Sequence, residues 1–532
     1  MASGLNDTIP EYYSYNSGIF EVRGAAGAGK TFQLTQDVTN IFKLRKKITV
    51  ISFSNAAVDE LSSRVGNTDV VLSTIHSFCW RLLAPVALKV LKMLFSSGNF
   101  TIKSLDNNAI FDVKNVNYGA ELGFGNFVKE TQDLWISHDD VIKIFTCALE
   151  QIPSFSKLIT SSYDFILIDE YQDTKYEFLT ALFKHISVNT VIGLYGDPYQ
   201  SVYLDEHSTE FVSVENKFTV HKFILDSNYR SEKYLVDIFN IARSSYDGLA
   251  QQAVNDSEIS KSRARVFIGN TRLSNKIVST INDKMKFEKS TVLSNTNRLK
   301  TSVTDFSEIA NQLNRGIHDT PRLEWPEILN TEQLNYRIKG LLKYGKLFFG
   351  SNYDKVVSLR SIFTDESISF LGMNQISDII NKIKDEKTNT FQHLIQQGLE
   401  VKSEYKNIES LLNNIEYQEL ANINDFYNNL ENINGKSSTI YSSKGLEFDN
   451  VILNIDWGYH KGRNWNDINF YLKEGDESSN PNINLMSYLF YVGITRAKHG
   501  LAIYINANEH PNFLNSFQKK FSSIDIDYQY LI

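Results

Sequence analysis

The run Gly24-Ala25-Ala26-Gly27-Ala28-Gly29-Lys30-Thr31 has the residue types and spacing to hold a polyphosphate. Gly24, Gly27 and Gly29 let successive backbone N–H groups curl around phosphate oxygens, where a Cβ would clash. Lys30 is placed to reach the β- and γ-phosphates, and the Thr31 hydroxyl to ligate Mg²⁺. A second constellation follows at Asp169-Glu170, two carboxylates that end the apolar run Phe165-Ile166-Leu167-Ile168. Asp169 would hold Mg²⁺ through its shell, and Glu170 would polarise an attacking water. The two together predict binding and hydrolysis of a nucleoside triphosphate with Mg²⁺.

These residues need strands and helices to place them. Gly18-Ile19-Phe20-Glu21-Val22 reads as a buried strand before the glycine loop, and Phe32–Val38 opens a helix after it, whose N-terminus adds positive potential for phosphate. Further strands are expected at Thr49–Phe53, Val70–Leu72, Phe165–Ile168 and Val191–Leu194 in a first block. A second block holds Lys222–Leu225, Arg265–Ile268, Thr291–Leu293, Thr439–Tyr441 and Val451–Leu453. Near-continuous apolar strands point to parallel sheets covered on both faces. The fold class expected is α/β, with two parallel-sheet lobes, each carrying a mainly helical insertion. Residues 1–79 and 150–220 form the first lobe and 80–149 its insertion. Residues 221–300 and 431–532 form the second lobe and 301–430 its insertion. In open parallel sheets ligands sit beyond the carboxyl ends of the strands, where both constellations fall.

Composition bounds the rest. A chain of 532 residues is too long for one core. Its net charge of −8 requires any nucleic-acid site to be a local basic groove on an acidic body. Two distant cysteines, Cys79 and Cys147, exclude a disulfide framework, a four-cysteine zinc site and an iron–sulfur cluster. No leader-like segment opens the chain, and no apolar run reaches roughly 18 residues, so a cytoplasmic protein without a membrane span is expected.

Further segments carry a resemblance. Ser52-Phe53-Ser54-Asn55-Ala56-Ala57, Thr74-Ile75-His76-Ser77-Phe78, His138–Ile142, Asp169-Glu170-Tyr171-Gln172-Asp173-Thr174, Gly196-Asp197-Pro198-Tyr199-Gln200-Ser201-Val202-Tyr203, Asn228-Tyr229-Arg230-Ser231, Ser443–Phe448 and Tyr491–Ala497 run in that order. With the glycine loop, they resemble the motif series of the UvrD/Rep group of superfamily-one helicases. The resemblance implies two RecA-like lobes and an ATP-driven, 3′-to-5′ translocase on DNA, single-stranded or tailed duplex. It implies Gln200 as a γ-phosphate sensor, Arg230 and Arg496 as arginine fingers, and Glu447 as a contact on the ribose side. It places Phe53, Asn55, Thr74, His76 and Tyr203 on the DNA strand.

The sequence also departs from the family. Tyr12-Tyr13-Ser14-Tyr15-Asn16 occupies the region of the adenine-reading glutamine motif, where a tyrosine could stack on the base instead. Asp205 stands where the family places a base-stacking tryptophan, so that platform is lost or moved. The stretch Tyr336–Lys346 interleaves rings and cations, which suits either a strand-binding surface or an amphipathic helix with a solvated basic face. Two alternatives to a translocase stay open: a DNA-stimulated ATPase switch that gates a partner nuclease, and a non-catalytic relic, against which the intact catalytic groups argue. Size and layout further resemble the helicase subunit of Gabija-type antiphage systems, which works beside a separate ATPase–nuclease. The tail after about residue 500 is too short for a nuclease domain of its own, so a nuclease partner is expected.

Overall fold

Strands that are apolar at every position must be covered on both faces, and the first sheet shows how. Its six strands are among nine in the first part of the chain: β1 (Gly18–Gly24), β2 (Ile48–Ser52), β3 (Val71–Thr74), β4 (Asn115–Tyr118), β5 (Asn126–Val128), β6 (Asp133–Ile136), β7 (Phe165–Asp169), β8 (Val191–Gly196) and β9 (Val220–Leu225). The order β3-β2-β7-β8-β1-β9 is parallel throughout. Ile19, Ile51, Ile166, Ile168, Ile192 and Leu194 point to one core, which continues into Phe78, Leu82, Phe145 and Phe178. Their sequence neighbours Phe20, Val22, Val50, Leu167, Val191 and Tyr195 point to the other, with Leu34, Val38, Ile41 and Leu61. The period-two alternation of a strand thus separates the cores.

The computed structural model describes residues 10–66, 70–96, 98, 109–119, 126–128, 131–202, 218–254, 264–295, 336–349, 359, 362–364, 398–402, 419–421, 423, 437–455, 464–474 and 481–531. Its contacts divide into two units. One comprises Met1–Ala264, Gly462–His499 and Asn512–Ile526; the other comprises Arg265–Lys461, Gly500–Pro511 and Asp527–Ile532.

Three helices in the first unit start where a side chain satisfies an open N–H group. The helix α1 (Lys30–Lys43) follows the glycine loop. Ser54 caps α2 (Asn55–Val65) and Thr74 caps α3 (Ile75–Leu83). The helix α4 (Ala87–Ser96) precedes the small sheet β4-β6-β5, and a capping box of Ser137 and Asp140 opens α5 (His138–Gln151). Then come α6 (Pro153–Ser162), α7 (Tyr176–His185) and α8 (Lys233–Arg243). The expected first insertion therefore contains helices and, in addition, a small mixed sheet. Between β9 and α8 lies β10 (Ser227–Asn228), which forms a short parallel ladder with β11 (Gln252–Ala253), the strand that follows α8.

The second sheet has the order β14-β13-β15-β16-β12-β17. Its strands are β12 (Ala264–Gly269), β13 (Thr291–Ser294), β14 (Ser437–Thr439), β15 (Phe448–Ile455), β16 (Ala497–Asn506) and β17 (Asp527–Tyr530). The helix α9 (Asn275–Met285) packs Ile281 and Met285 on Phe267, Val292 and Ile452. Of the second insertion, the principal described element is α10 (Tyr336–Phe349). The chain then contributes α11 (Pro481–Ile494) and α12 (Pro511–Lys520).

One strand joins a different sheet from the one expected. Lys222–Leu225, read with the second block, belongs to β9 and pairs with β1 from Ile19↔Val220 to Gly24↔Leu225. Its partner is chosen by backbone register, which hydrophobic periodicity does not report. The strand expected at Thr439–Tyr441 sits two residues earlier, because Ile440 and Tyr441 already turn out of the ladder.

Candidate functional site

The glycine loop leaves the carboxyl end of β1 and enters α1 at Lys30. Gly27 and Gly29 both have φ of 79°, the left-handed region that a side chain rarely adopts. A Cβ on Gly27 would also lie 2.8 Å from Arg230 Cβ. Lys30 folds back over the loop, its Nζ donating to the Gly24 carbonyl at 3.0 Å. The loop is clamped from outside. Asn228 Nδ2 donates to the Ala26 carbonyl at 3.0 Å, and Tyr229 N–H donates to the Gly27 carbonyl at 2.9 Å. Burial pushes the Lys30 ammonium below its ordinary range, and the carboxylates of Glu170, Asp197 and Asp169 oppose that shift.

Asp169 ends β7 level with Tyr195 of the neighbouring β8, one strand from β1. It is buried, and its Oδ1 has no hydrogen-bond partner. Burial first, and the charge of Glu170 second, hold its carboxyl above the usual range. A buried carboxylate oxygen without a partner suits a hard cation, with the half-buried Thr31 as a second oxygen ligand. Among the described residues no group of three or more His, Cys, Asp or Glu could hold a metal alone.

Glu170 turns the chain out of β7 with φ of 48°, left-handed for a residue with a side chain. Gln172 holds it. The Gln172 Nε2 donates to Glu170 Oε2, while Gln172 Oε1 accepts the Asp197 N–H at 3.1 Å. One amide thus ties the ends of β7 and β8. Gln172 stands inside the Asp169–Thr174 motif, but its spacing there does not reveal this positioning role.

The remaining expected phosphate-side residues gather in the same unit. Gln200 and Arg496 are both buried, and Arg496 Nη2 donates to Gln200 Oε1 at 3.0 Å. Arg496 Nε donates to the Val492 carbonyl at 3.1 Å, one turn back in α11. Arg230 lies beside Gly27, and its Nη1 donates to the Thr495 carbonyl at 3.2 Å. Glu447 falls in the other unit, exposed, just before β15. A buried ion pair of Arg243 with Asp197 joins the group; the sequence offers no motif for Arg243.

The expected strand-contacting residues follow the carboxyl ends of two adjacent strands. Ser52 of β2 is level with Thr74 of β3, so Phe53 and Asn55 leave the sheet beside Thr74 and His76. Phe53 is 41% exposed. Thr74 caps α3, its Oγ1 accepting the Ser77 N–H at 3.3 Å. Tyr203 and Asp205 lie outside the described residues.

Two expectations about rings change. Tyr12 and Tyr13 are buried, and their hydroxyls donate to Asp37 Oδ2 and Oδ1 at 2.8 and 2.6 Å. Tyr195 and Gln33 donate to the same carboxylate at 2.6 and 2.8 Å. Neither Tyr12 nor Tyr13 can stack on a base, because the core under α1 claims both. In α10, Ile338, Leu341 and Tyr344 are buried, so Tyr344 serves packing and offers no open stacking face.

Comparison with known proteins agrees with this layout. Residues 12–206 match a family described as an AAA domain, and residues 324–508 match the UvrD-like helicase C-terminal domain. The chain is 21% identical to a Gabija protein GajB of Bacillus cereus strain HuB5-5, over 90% of this chain and 91% of that protein. A second GajB, from strain VD045, is 23% identical over 94% and 95% of the two chains. The ATP-dependent DNA helicase PcrA of Bacillus subtilis is 23% identical over 45% of this chain, which spans 39% of that protein. Among the described residues no helix is long and apolar enough to cross a membrane. With both matches falling in family order along the chain, the chain belongs to the UvrD-like, superfamily-one family of ATP-dependent DNA helicases.

Proposed function

We propose that this chain hydrolyses ATP with Mg²⁺ to translocate along single-stranded DNA, with 3′-to-5′ polarity. The observation that carries the reading is the meeting of Lys30, Asp169, Glu170, Gln200, Arg230 and Arg496 around one glycine loop. In the proposed mechanism the N–H groups of Gly24–Thr31 and the Lys30 ammonium bind the phosphates. Glu170, its carboxylate steered by Gln172, accepts a proton from the attacking water. Gln200 and the two arginines stabilise charge on the transferred phosphoryl, where an arginine finger is worth about 10³–10⁵ in rate. Thr31 and Asp169 would hold Mg²⁺, which would supply positive charge against the phosphates. Glu447 supports the ribose, and Phe53, Asn55, Thr74, His76 and Tyr203 hold the strand. Of the lobes proposed from the sequence, 1–79 with 150–220 and 221–300 with 431–532, the first must also take in β9 (Val220–Leu225).

Coverage of GajB over nine-tenths of this chain favours a Gabija-type antiphage role beside a nuclease partner. It also keeps in play the second reading, an ATPase switch that gates that partner without strong unwinding. The unpaired cysteines Cys79 and Cys147 suit work in the cytoplasm.

The test uses the purified full-length chain. ATP turnover is measured with and without single strands, and displacement is followed on 3′- and 5′-tailed duplexes. Stimulated turnover with displacement from the 3′ tail supports the translocase. Stimulated turnover without displacement or movement leaves the switch. Strand affinity should fall with salt at a log–log slope of about −0.7 per phosphate contacted. Turnover and affinity that ignore single strands at low salt overturn both readings.

A further inference from the structure

Arg243 ends α8 and is 1% exposed. Its guanidinium is held between two aspartates. Toward Asp197, Nη1 and Nη2 lie 2.9 Å from Oδ2 and Oδ1. Toward Asp247, Nε and Nη2 reach the two carboxylate oxygens at 2.8 and 2.5 Å. The rings of Tyr199 and Tyr491 face the cation, with centroids at 5.7 and 5.5 Å. Such a planar fork with five fixed donors sets the orientation of what it binds, which a point charge does not.

What it orients matters for the phosphate site. Asp197 is fully buried, and its Oδ2 also accepts Gln200 Nε2 at 2.6 Å. Burial alone would raise the Asp197 carboxyl; the Arg243 charge and hydrogen bond hold it below the usual range, so it stays an acceptor. A carboxylate can take only the NH₂ edge of an amide. The amide oxygen must then face the other way, and it meets Arg496 Nη2 at 3.0 Å. The chain of dependence runs from Arg243 to Asp197 to Gln200 to Arg496. A second branch runs toward the glycine loop. Asp247 lies 4.0 Å from Arg23 Nη1, and Arg23, one residue before Gly24, pairs with Glu21 and Glu474 at 2.7 and 2.6 Å. Stability alone accounts poorly for this arrangement, since well-packed apolar side chains commonly equal or exceed a buried ion pair.

We propose that Arg243 is a positioning residue for ATP hydrolysis: through Asp197 it fixes the Gln200 amide so that its oxygen keeps Arg496 in the catalytic pose. The inference rests on the roles proposed above for Gln200 and Arg496. It adds a residue from outside the motif series and gives it a task.

The test is a double-mutant cycle on the full-length chain with saturating single-stranded DNA. Arg243→Met and Arg243→Lys are made alone and with Arg496→Ala, and kcat and KM for ATP are measured. Arg243→Met should lower kcat by about 10–100-fold and change KM by less than about threefold, because the lost interaction acts in the transition state. Lysine keeps the charge but cannot fork across two carboxylates, so Arg243→Lys should recover part of the loss. In the Arg496→Ala background either change should cost less than about threefold, as expected of residues that act as a unit. If Arg243→Met fails to fold by circular dichroism, the lysine arm of the cycle decides. Losses that multiply fully in both backgrounds, or a kcat within about twofold of wild type for the folded variants, overturn the inference alone. A wild-type chain that does not hydrolyse ATP overturns the hydrolysis reading and this inference with it.

Discussion

The proposed phosphate side and the proposed strand side of the first sheet stand at the same carboxyl edge, yet they are built differently. Asp169, Asp197, Gln200, Arg243 and Arg496 are between 0 and 4% exposed, and the last four are joined by short polar contacts. Phe53 is 41% exposed, and Asn55 is open to solvent beside it. A phosphoryl transition state asks for fixed charge in a site that excludes water, so its donors are locked by other side chains. A strand that must be gripped and released asks for an open face with few commitments. The phosphate side can therefore be damaged from a distance, whereas the strand side should answer only to residues that touch the strand.

Breaking the phosphate side should give the largest effects. Arg496→Ala should slow DNA-stimulated ATP turnover by about 10³–10⁵-fold while a fluorescent ATP analogue still binds. A loss below tenfold would remove Arg496 from the finger role. Glu170→Gln should cost about 10²–10⁴-fold in kcat, as for loss of a general base, and single-turnover quench experiments would show whether chemistry is the slowed step. Asp37→Ala tests the core beneath the glycine loop. It leaves three tyrosine hydroxyls and the Gln33 amide without their shared acceptor, and at about 1–3 kcal/mol per stranded group it should destabilise the fold by at least about 3 kcal/mol in denaturant titration. On the open side, Phe53→Ala should weaken single-strand affinity by about 1–3 kcal/mol, read from fluorescence anisotropy; unchanged affinity would take that ring off the strand. The smallest stability effect should come from Thr74→Ala, about 1 kcal/mol for loss of the α3 cap.

Much of the phosphate side is legible in the amino-acid sequence. The glycine spacing, the apolar run into Asp169-Glu170 and the motif order are local patterns, and each sits on the loop or strand end expected of it. Less legible are residues whose function depends on a partner far away in sequence. Gln172 is visible as a letter in a motif, but its hold on Glu170 and on Asp197 depends on the pairing of β7 with β8. Arg243 has no pattern at all, because a lone arginine in an amphipathic helix reads as a solvated one. The tyrosines ahead of β1 mislead for a similar reason. Aromatic composition suggests a stacking surface, and only packing shows that Tyr12 lies against Phe20 at 4.1 Å between centroids, with its hydroxyl on Asp37.

The sequence by itself determined the local pieces: a glycine loop with left-handed turns, a strand that ends in carboxylates, and three helices that begin at capping side chains. These follow from steric and hydrogen-bonding rules acting within a few residues. Tertiary structure alone decided that Lys222–Leu225 pairs with β1, that Asn228 and Tyr229 clamp the glycine loop, and that Arg243 governs Gln200 through Asp197. Such choices rest on register and on the matching of buried charges across long stretches of chain, and those quantities exist only once the core has closed.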